Sequence, residues 1–375
     1  MRSLENIFRL GIKELFSLRH DVVLMALIAW AFSLSIYSAA TGMSHDLNNA
    51  SIGIVDEDRS QLSTRVRQAF LPPYFHEPKL ISFDEIDAGM DSGRYTFVVV
   101  IPSRFEADVL AGRRPAVQVN IDATAMMQAG IGDGYINRIL AQEINEFLGI
   151  RPVGNPDPVE LKTRFAFNSN ITSSWFTSLM QIINSINMLA IVLTGAALIR
   201  EREHGTIEHL LVMPLTPFEI MMAKVWANGL VILIAASLSL WLVVETLLDV
   251  PVAGSKPLFF AGTALYLFFA TALGIFLATL ARSMPQFGLL FMMVMLPMNL
   301  LSGGNTPIES QPEALQAIMQ AVPSTHFVSF SQAILYRGAG LDIVWPQFLL
   351  VTAMGGLFFA FAGARLRKSL AHMQN

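Results

Sequence analysis

The chain has 375 residues, 53% of them hydrophobic and 14% charged, with a mean hydropathy of +0.50. That balance excludes an ordinary water-soluble globule and a disordered chain, and it fits a protein threaded repeatedly through a membrane. The absence of cysteine excludes disulfides and thiolate chemistry, while the net charge of −4 says little about partners because the charges are clustered.

Residues 1–20 read as a basic amphipathic helix. Leu4, Ile7, Phe8, Gly11 and Leu15 share a face, and Arg2, Arg9, Lys13 and Arg19 supply positive charge. Such a segment is expected to lie in the cytoplasmic interface rather than to cross the membrane. Residues 22–42 are the first predicted transmembrane helix, free of charge from Val22 to Ala40. Ser38-Ala39-Ala40 has the small residues of a signal-peptidase site. The basic segment ahead of it is long, and the apolar run exceeds the usual ~7–15 residues, so an uncleaved anchor is expected.

Residues 44–173 have the composition of a water-soluble domain. Ala50–Val55, Lys79–Phe83, Tyr95–Ile101 and Ala116–Ile121 read as strands rich in Val, Ile and Phe. Helical stretches lie between them at Ser60–Phe70, Asp84–Met90 and Ser103–Ala111, followed by a longer one at Thr124–Leu148. Alternating strands and helices predict a small α/β domain. Leu71-Pro72-Pro73 and the Gly149–Pro158 run mark turns.

The remaining membrane core, residues 174–366, holds apolar stretches at Trp175–Leu198, Phe218–Val244, Pro257–Ala281, Gln286–Leu301 and Val344–Ala364. Residues 302–343 form a Gly/Pro-rich excursion, expected to be re-entrant, and residues 367–375 a cytoplasmic tail. Basic residues fix the orientation. The N-terminal helix, Arg200, Arg202 and Lys224, the Arg282 turn, and Arg365, Arg367 and Lys368 all lie close to spans on one side. The fold class expected is a polytopic α-helical membrane protein: six transmembrane helices, both termini cytoplasmic, with an extracytoplasmic α/β domain inserted between spans 1 and 2. The location expected is the bacterial inner membrane.

Residues 200–217 form a densely charged loop between two long apolar runs. Gly205 is expected to break the preceding helix, and Thr206 to cap a short one with Glu208 in its first turn. Ile207, Leu210 and Leu211 then share a face, and Pro214 ends the helix. Thr216-Pro217-Phe218-Glu219 reads as a capping box that launches the next span. A two-turn helix with an exposed apolar face, braced between membrane helices, is suited to being pushed by a partner.

Other patterns carry less. Leu301-Ser302-Gly303-Gly304-Asn305 resembles an ATPase signature, but the chain has no GxxxxGK[ST] phosphate loop, so the glycines are read as a helix break. His204 and His209 flank Glu208 in a zinc-like spacing, yet five residues apart they diverge by about 140° on a helix and are read as interfacial. Asp56-Glu57-Asp58 is read as a solvated turn, without ligand-loop spacing. No catalytic constellation and no metal set is expected. The spans carry almost no ionisable groups, Glu245 excepted, which argues against ion-gradient coupling. Gln181, Asn184, Ser185 and Asn187, with Asn299 and a methionine set including Met292, Met293, Met295 and Met298, offer neutral polar and polarisable surface. Their plain reading is helix packing. The functional reading makes Gln181, Asn184, Asn187, Met295 and Asn299 a translocation path for a lipophilic or amphipathic solute.

The segment from Arg200 to Pro214 resembles the E-x-G-T-x-E-x-L-L-x-x-P motif of ABC-2 type permeases. The resemblance extends along the chain, including Ala281–Gln286 and Leu301–Gly304 with Pro307 and Pro312. It implies a dimer of six-span units, as two identical copies or a pair of paralogues, with ATP-binding subunits docked on the cytoplasmic side. ATP and Mg would be held by those subunits and no cofactor by this chain. Glu201, Glu203, Gly205, Thr206, Glu208, Leu211 and Pro214 match the family's coupling element, and residues 1–20 its connecting helix. Membrane lipid is a partner by construction, a periplasmic adaptor stays open, and nothing points to nucleic acid. The function implied is ATP-driven export. The alternative is a membrane-anchored sensor with a periplasmic ligand-binding domain, disfavoured by the short stretch after the last span, which leaves no output domain. A membrane-embedded hydrolase would need a nucleophile or metal constellation that the sequence does not display.

Overall fold

The computed structural model describes residues 2–42, 47, 49–122, 126–149, 172–203 and 215–374. The chain divides into two compact units, residues 1–43 with 165–375, and residues 44–164.

The larger unit is helical. Among the described residues, six helices are long and apolar enough to cross a membrane: Val22–Gly42, Ser173–Glu203, Pro217–Leu247, Lys256–Leu280, Met284–Leu301 and Leu341–Ser369 (spans 1–6). Helix α1, Arg2–His20, precedes them. Asp21 separates α1 from span 1, its carboxylate accepting the Leu24 N–H at 2.9 Å as an N-cap. Spans 2 and 4 are 78% and 67% buried along their apolar windows, against 28% or less for the others, so they form the central pair. They cross where both lack side chains. A Cβ on Gly274 would stand 2.5 Å from the Ile191 carbonyl oxygen and 3.2 Å from the Gly195 nitrogen. Such small-residue crossings let membrane helices gain contact where lipid gives no hydrophobic drive. Span 3 closes in a π-helical turn, Leu240–Leu247, in which Glu245 pairs with Lys256 of span 4 at 2.6 Å.

The 302–343 excursion contains two short helices, Glu313–Gln320 and Pro323–Arg337, the second of them largely buried against the bundle. Two boundaries differ from the sequence reading. The last helix begins at Leu341, inside the excursion, and continues to Gln374 through residues read as a tail. Its Arg and Lys residues are good helix formers, so loss of apolarity does not end the helix.

The smaller unit is a four-stranded sheet in the order β2-β1-β3-β4: β1 is Ile52–Asp56, β2 Lys79–Leu80, β3 Phe97–Ile101 and β4 Gln118–Ile121. β1 pairs in parallel with β2 and β3, and β4 runs antiparallel to β3. Alternation gives two cores, because successive residues of a strand face opposite sides. Phe97, Val99 and Ile101 pack with Leu62, Val66 and Ile136 on one side, while Val98 and Val100 pack with Ile86 on the other. A central strand buried on both faces reads as an unbroken apolar run, as Phe97–Ile101 does. The Asp56 and Asp58 carboxylates are engaged by backbone N–H groups. Asp56 accepts from the Asp58 and Arg59 N–H groups at 3.1 and 2.8 Å, and Asp58 accepts the Glu106 N–H at 2.9 Å. Burial nudges the Asp58 carboxyl upward, but the Ser60 hydroxyl and the backbone N–H groups hold it below the usual value.

Candidate functional site

The residues that interrupt the two long apolar runs come together at one end of the bundle. Arg200, Glu201, Arg202 and Glu203 are the last described residues of span 2. Four consecutive residues of a helix, about 100° apart, sweep most of the way round its axis. Each of these therefore meets a different neighbour.

Arg200 pairs with Asp21 at the α1–span 1 junction. Glu201 lies 3.1 Å from the Lys224 Nζ of span 3, which donates at 2.8 Å to Glu14 of α1. Arg202 donates at 2.6 and 3.2 Å to the Ala281 and Ala278 carbonyls, which the last turn of span 4 leaves open. Glu203 accepts the Met284 N–H at 2.9 Å, at the positive end of span 5. A four-residue charged stretch thus touches α1 and spans 1, 3, 4 and 5.

Lys224 is 1% exposed, and no apolar solvent tolerates such an ammonium without counter-charge. Two carboxylates, from Glu14 and Glu201, supply it. Burial pushes the Glu14 carboxyl up, and the charge of Lys224 pulls it below the ordinary carboxylate value. α1 is held at two further points along span 3. Trp226 donates to the Ile7 carbonyl at 3.0 Å and stacks on Phe8, its ring passing over Gly11, where a Cβ would be 2.1 Å away. Asn6 donates to Glu219 at 3.2 Å. Glu219 is also half of the capping box with Thr216, with Pro217 at the first helical position, as the sequence predicts.

Of the coupling residues, Glu201 therefore turns onto Lys224, and Glu203, although exposed, accepts the Met284 N–H of span 5. Gly205, Thr206, Glu208, Leu211 and Pro214, with His204 and His209, lie outside the described residues. Asp21, Glu14 and Lys224 were missed by sequence reasoning as parts of this cluster. Their signal is isolation: one acid at the end of a basic helix, and one lysine seven residues into an apolar run.

The path residues separate into two groups. Gln181, Asn184, Met295 and Asn299 line one cleft of about 220 Å³ between spans 2 and 5, together with Ser185, Met188 and Met292. Gln181 also donates to Ser35 of span 1 at 2.8 Å. Asn187 lies elsewhere: it is buried, and its carbonyl accepts the Tyr266 hydroxyl of span 4. Six residues further along the helix from Gln181 it has turned toward the central pair, so it packs rather than lines.

A family model described as ABC-2 family transporter protein matches residues 22–364. The chain is 57% identical over 374 residues to the inner membrane transport permease YhhJ of Escherichia coli (strain K12), with 100% of each chain covered. It is 28% identical over 351 residues to a protein of that organism named "Probable multidrug ABC transporter permease YbhR", covering 92% of this chain and 94% of the relative. To the similarly named YbhS it is 25% identical over 344 residues, covering 90% of each. With a match that runs from the first span into the last and a relative more than half identical end to end, the chain belongs to the ABC-2 family of transporter permeases.

Proposed function

We propose that this permease exports lipophilic or amphipathic solutes from the cytoplasm, driven by the ATP-binding subunit that its family implies. The observation that carries the reading is the junction at Arg200–Glu203, where the segment expected to receive the push is tied to five neighbouring elements. A displacement applied to residues 204–214 enters span 2 through Glu203 and span 3 through Thr216. From there the ion pairs spread it to α1 and to spans 1, 4 and 5 as one body. The ATP-binding subunit would bias an existing inward–outward equilibrium by binding one state more tightly. The names of the 28% and 25% identical relatives, which mention multidrug transport, favour a broad apolar solute class. The cleft lined by Asn184, Met292 and Met295 supplies adaptable surface for it. Span 5 exposes Leu289, Met293, Leu296 and Leu300, a face suited to a second permease copy. In this reading the basic end faces the cytoplasm and the sheet unit lies outside.

The cysteine-free chain allows a direct test. Leu211→Cys, co-expressed with a candidate ATP-binding subunit, should react with membrane-impermeant maleimide only from the cytoplasmic side and crosslink to that subunit. Labelling from the periplasmic side would overturn the orientation and the coupling together. Charge reversal at Glu208 should leave the permease folded and uncouple ATP hydrolysis from export. Reversal at Glu201 is a poorer probe, because it would set two cations against each other at Lys224.

A further inference from the structure

A second, larger cleft of about 450 Å³ lies at the end of span 2 remote from Arg200. Its size is that of a small-ligand site. Phe176, Pro307, Ile308 and Val328 give it apolar surface, and Asn305, Glu309, Ser329, Gln332 and Arg337 polar surface. Glu309 and Arg337 both line it, are both exposed, and neither is ion-paired within 4.0 Å among the described residues. Opposite charges that share a cleft without meeting leave room for a ligand to bridge them.

A second observation points the same way: the cleft abuts the one between spans 2 and 5. Asn305 from its lining donates to the backbone and side chain of Asn299, at 3.4 and 3.5 Å, and Asn299 lines the other cleft. A polar chamber and a methionine-lined one therefore share a boundary of two asparagines.

We propose that the larger cleft is a head-group site for zwitterionic amphiphiles, with Arg337 taking the anionic group, Glu309 the cationic one, and the apolar tail running past Asn299 along span 5. This rests on the exporter reading for its place in transport and names the solute's chemistry. Binding is measured on the permease alone, so its failure leaves coupling to the ATP-binding subunit untouched.

The test uses the purified full-length permease and three probes: lysophosphatidylcholine, which is zwitterionic, lysophosphatidylglycerol, which is anionic, and chain-free glycerophosphocholine. Arg337→Gln should weaken both lysolipids about tenfold or more, and Glu309→Gln should weaken only lysophosphatidylcholine by a similar factor. Competition by glycerophosphocholine would identify a soluble zwitterion as the natural source, and its failure to compete would identify a membrane amphiphile. Arg337→Lys serves as the fold control and should recover part of the affinity. Equal affinity of wild type and the Arg337→Gln/Glu309→Gln double variant for lysophosphatidylcholine would overturn the proposal, as would indifference of that lysolipid to Glu309.

Discussion

The two ends of span 2 handle polarity in opposite ways. At the Arg200 end every one of four successive charges meets a partner on a neighbouring element. At the Phe176 end, Glu309 and Arg337 stand apart in an open cleft. A buried cluster of paired charges stiffens the elements it joins, whereas opposite charges left apart in an open cleft leave room for a ligand. One end is built to hold its neighbours, the other to receive something. About seven turns of the same helix separate Phe176 from Arg200, at about 3.6 residues per turn.

The largest expected effect breaks the satisfied end. Lys224→Met leaves the Glu14 and Glu201 carboxylates buried with no cation between them. Removing one partner of a buried charge cluster costs about 3–5 kcal/mol, whereas replacing the whole cluster is often neutral. The single variant should melt far below wild type in detergent, and Glu14→Gln/Lys224→Met/Glu201→Gln should recover most of the loss. A triple variant as unstable as the single one would show that packing of the lysine stem, not its charge, holds α1 in place. Next in size is Arg202→Gln, which strips two carbonyls of span 4 of their donor. That change should cost about 1–3 kcal/mol in the same melts.

Two asparagines of span 2 sharpen the contrast without leaving the helix. Asn187→Leu removes the acceptor of the buried Tyr266 hydroxyl and should destabilise by about 0.6–1.7 kcal/mol, the measured range for bonds between membrane helices. Asn184→Leu lies in the span 2–span 5 cleft and should leave stability nearly unchanged while lowering export of amphipathic dyes from loaded cells. The reverse pattern, a stable Asn187 variant with lost export, would move the path to the central pair.

Much of this was legible in the sequence because local rules sufficed. Apolar length marks the spans, the unbroken apolar run of Phe97–Ile101 marks a central strand, and Thr216-Pro217-Phe218-Glu219 announces its own capping box. What was not legible depends on partners distant in the chain. Nothing local to Lys224 says that Glu14, 210 residues earlier, will neutralise it, so the lysine reads as an orientation signal alone. Likewise Asn184 and Asn187 look equivalent in a list of neutral polar residues. Their separation needs the rotation of span 2 against spans 4 and 5, which one helix's pattern does not fix.

The smallest effect concerns pH and the dock of α1. Burial is the largest single influence on the Glu14 carboxyl and raises it, but the charge and hydrogen bond of Lys224, with the Glu201 hydrogen bond and Lys13, together hold it below the ordinary value of 4.5. A carboxyl that is more acidic folded than unfolded adds stability that is complete above its unfolded value and is lost as pH falls through the folded one. Protonation of Glu14 in acid should therefore loosen the dock. Trp226 reports the event, since it stacks on Phe8 and donates to Ile7 of the same helix. Its fluorescence, isolated by subtracting a Trp226→Phe sample, should shift in acid for wild type. In Glu14→Gln residue 14 no longer titrates, so its share of that acid-dependent shift should be lost while the starting signal is already partly loosened. An unchanged acid transition in Glu14→Gln would assign the proton to another group and remove Glu14 from the dock.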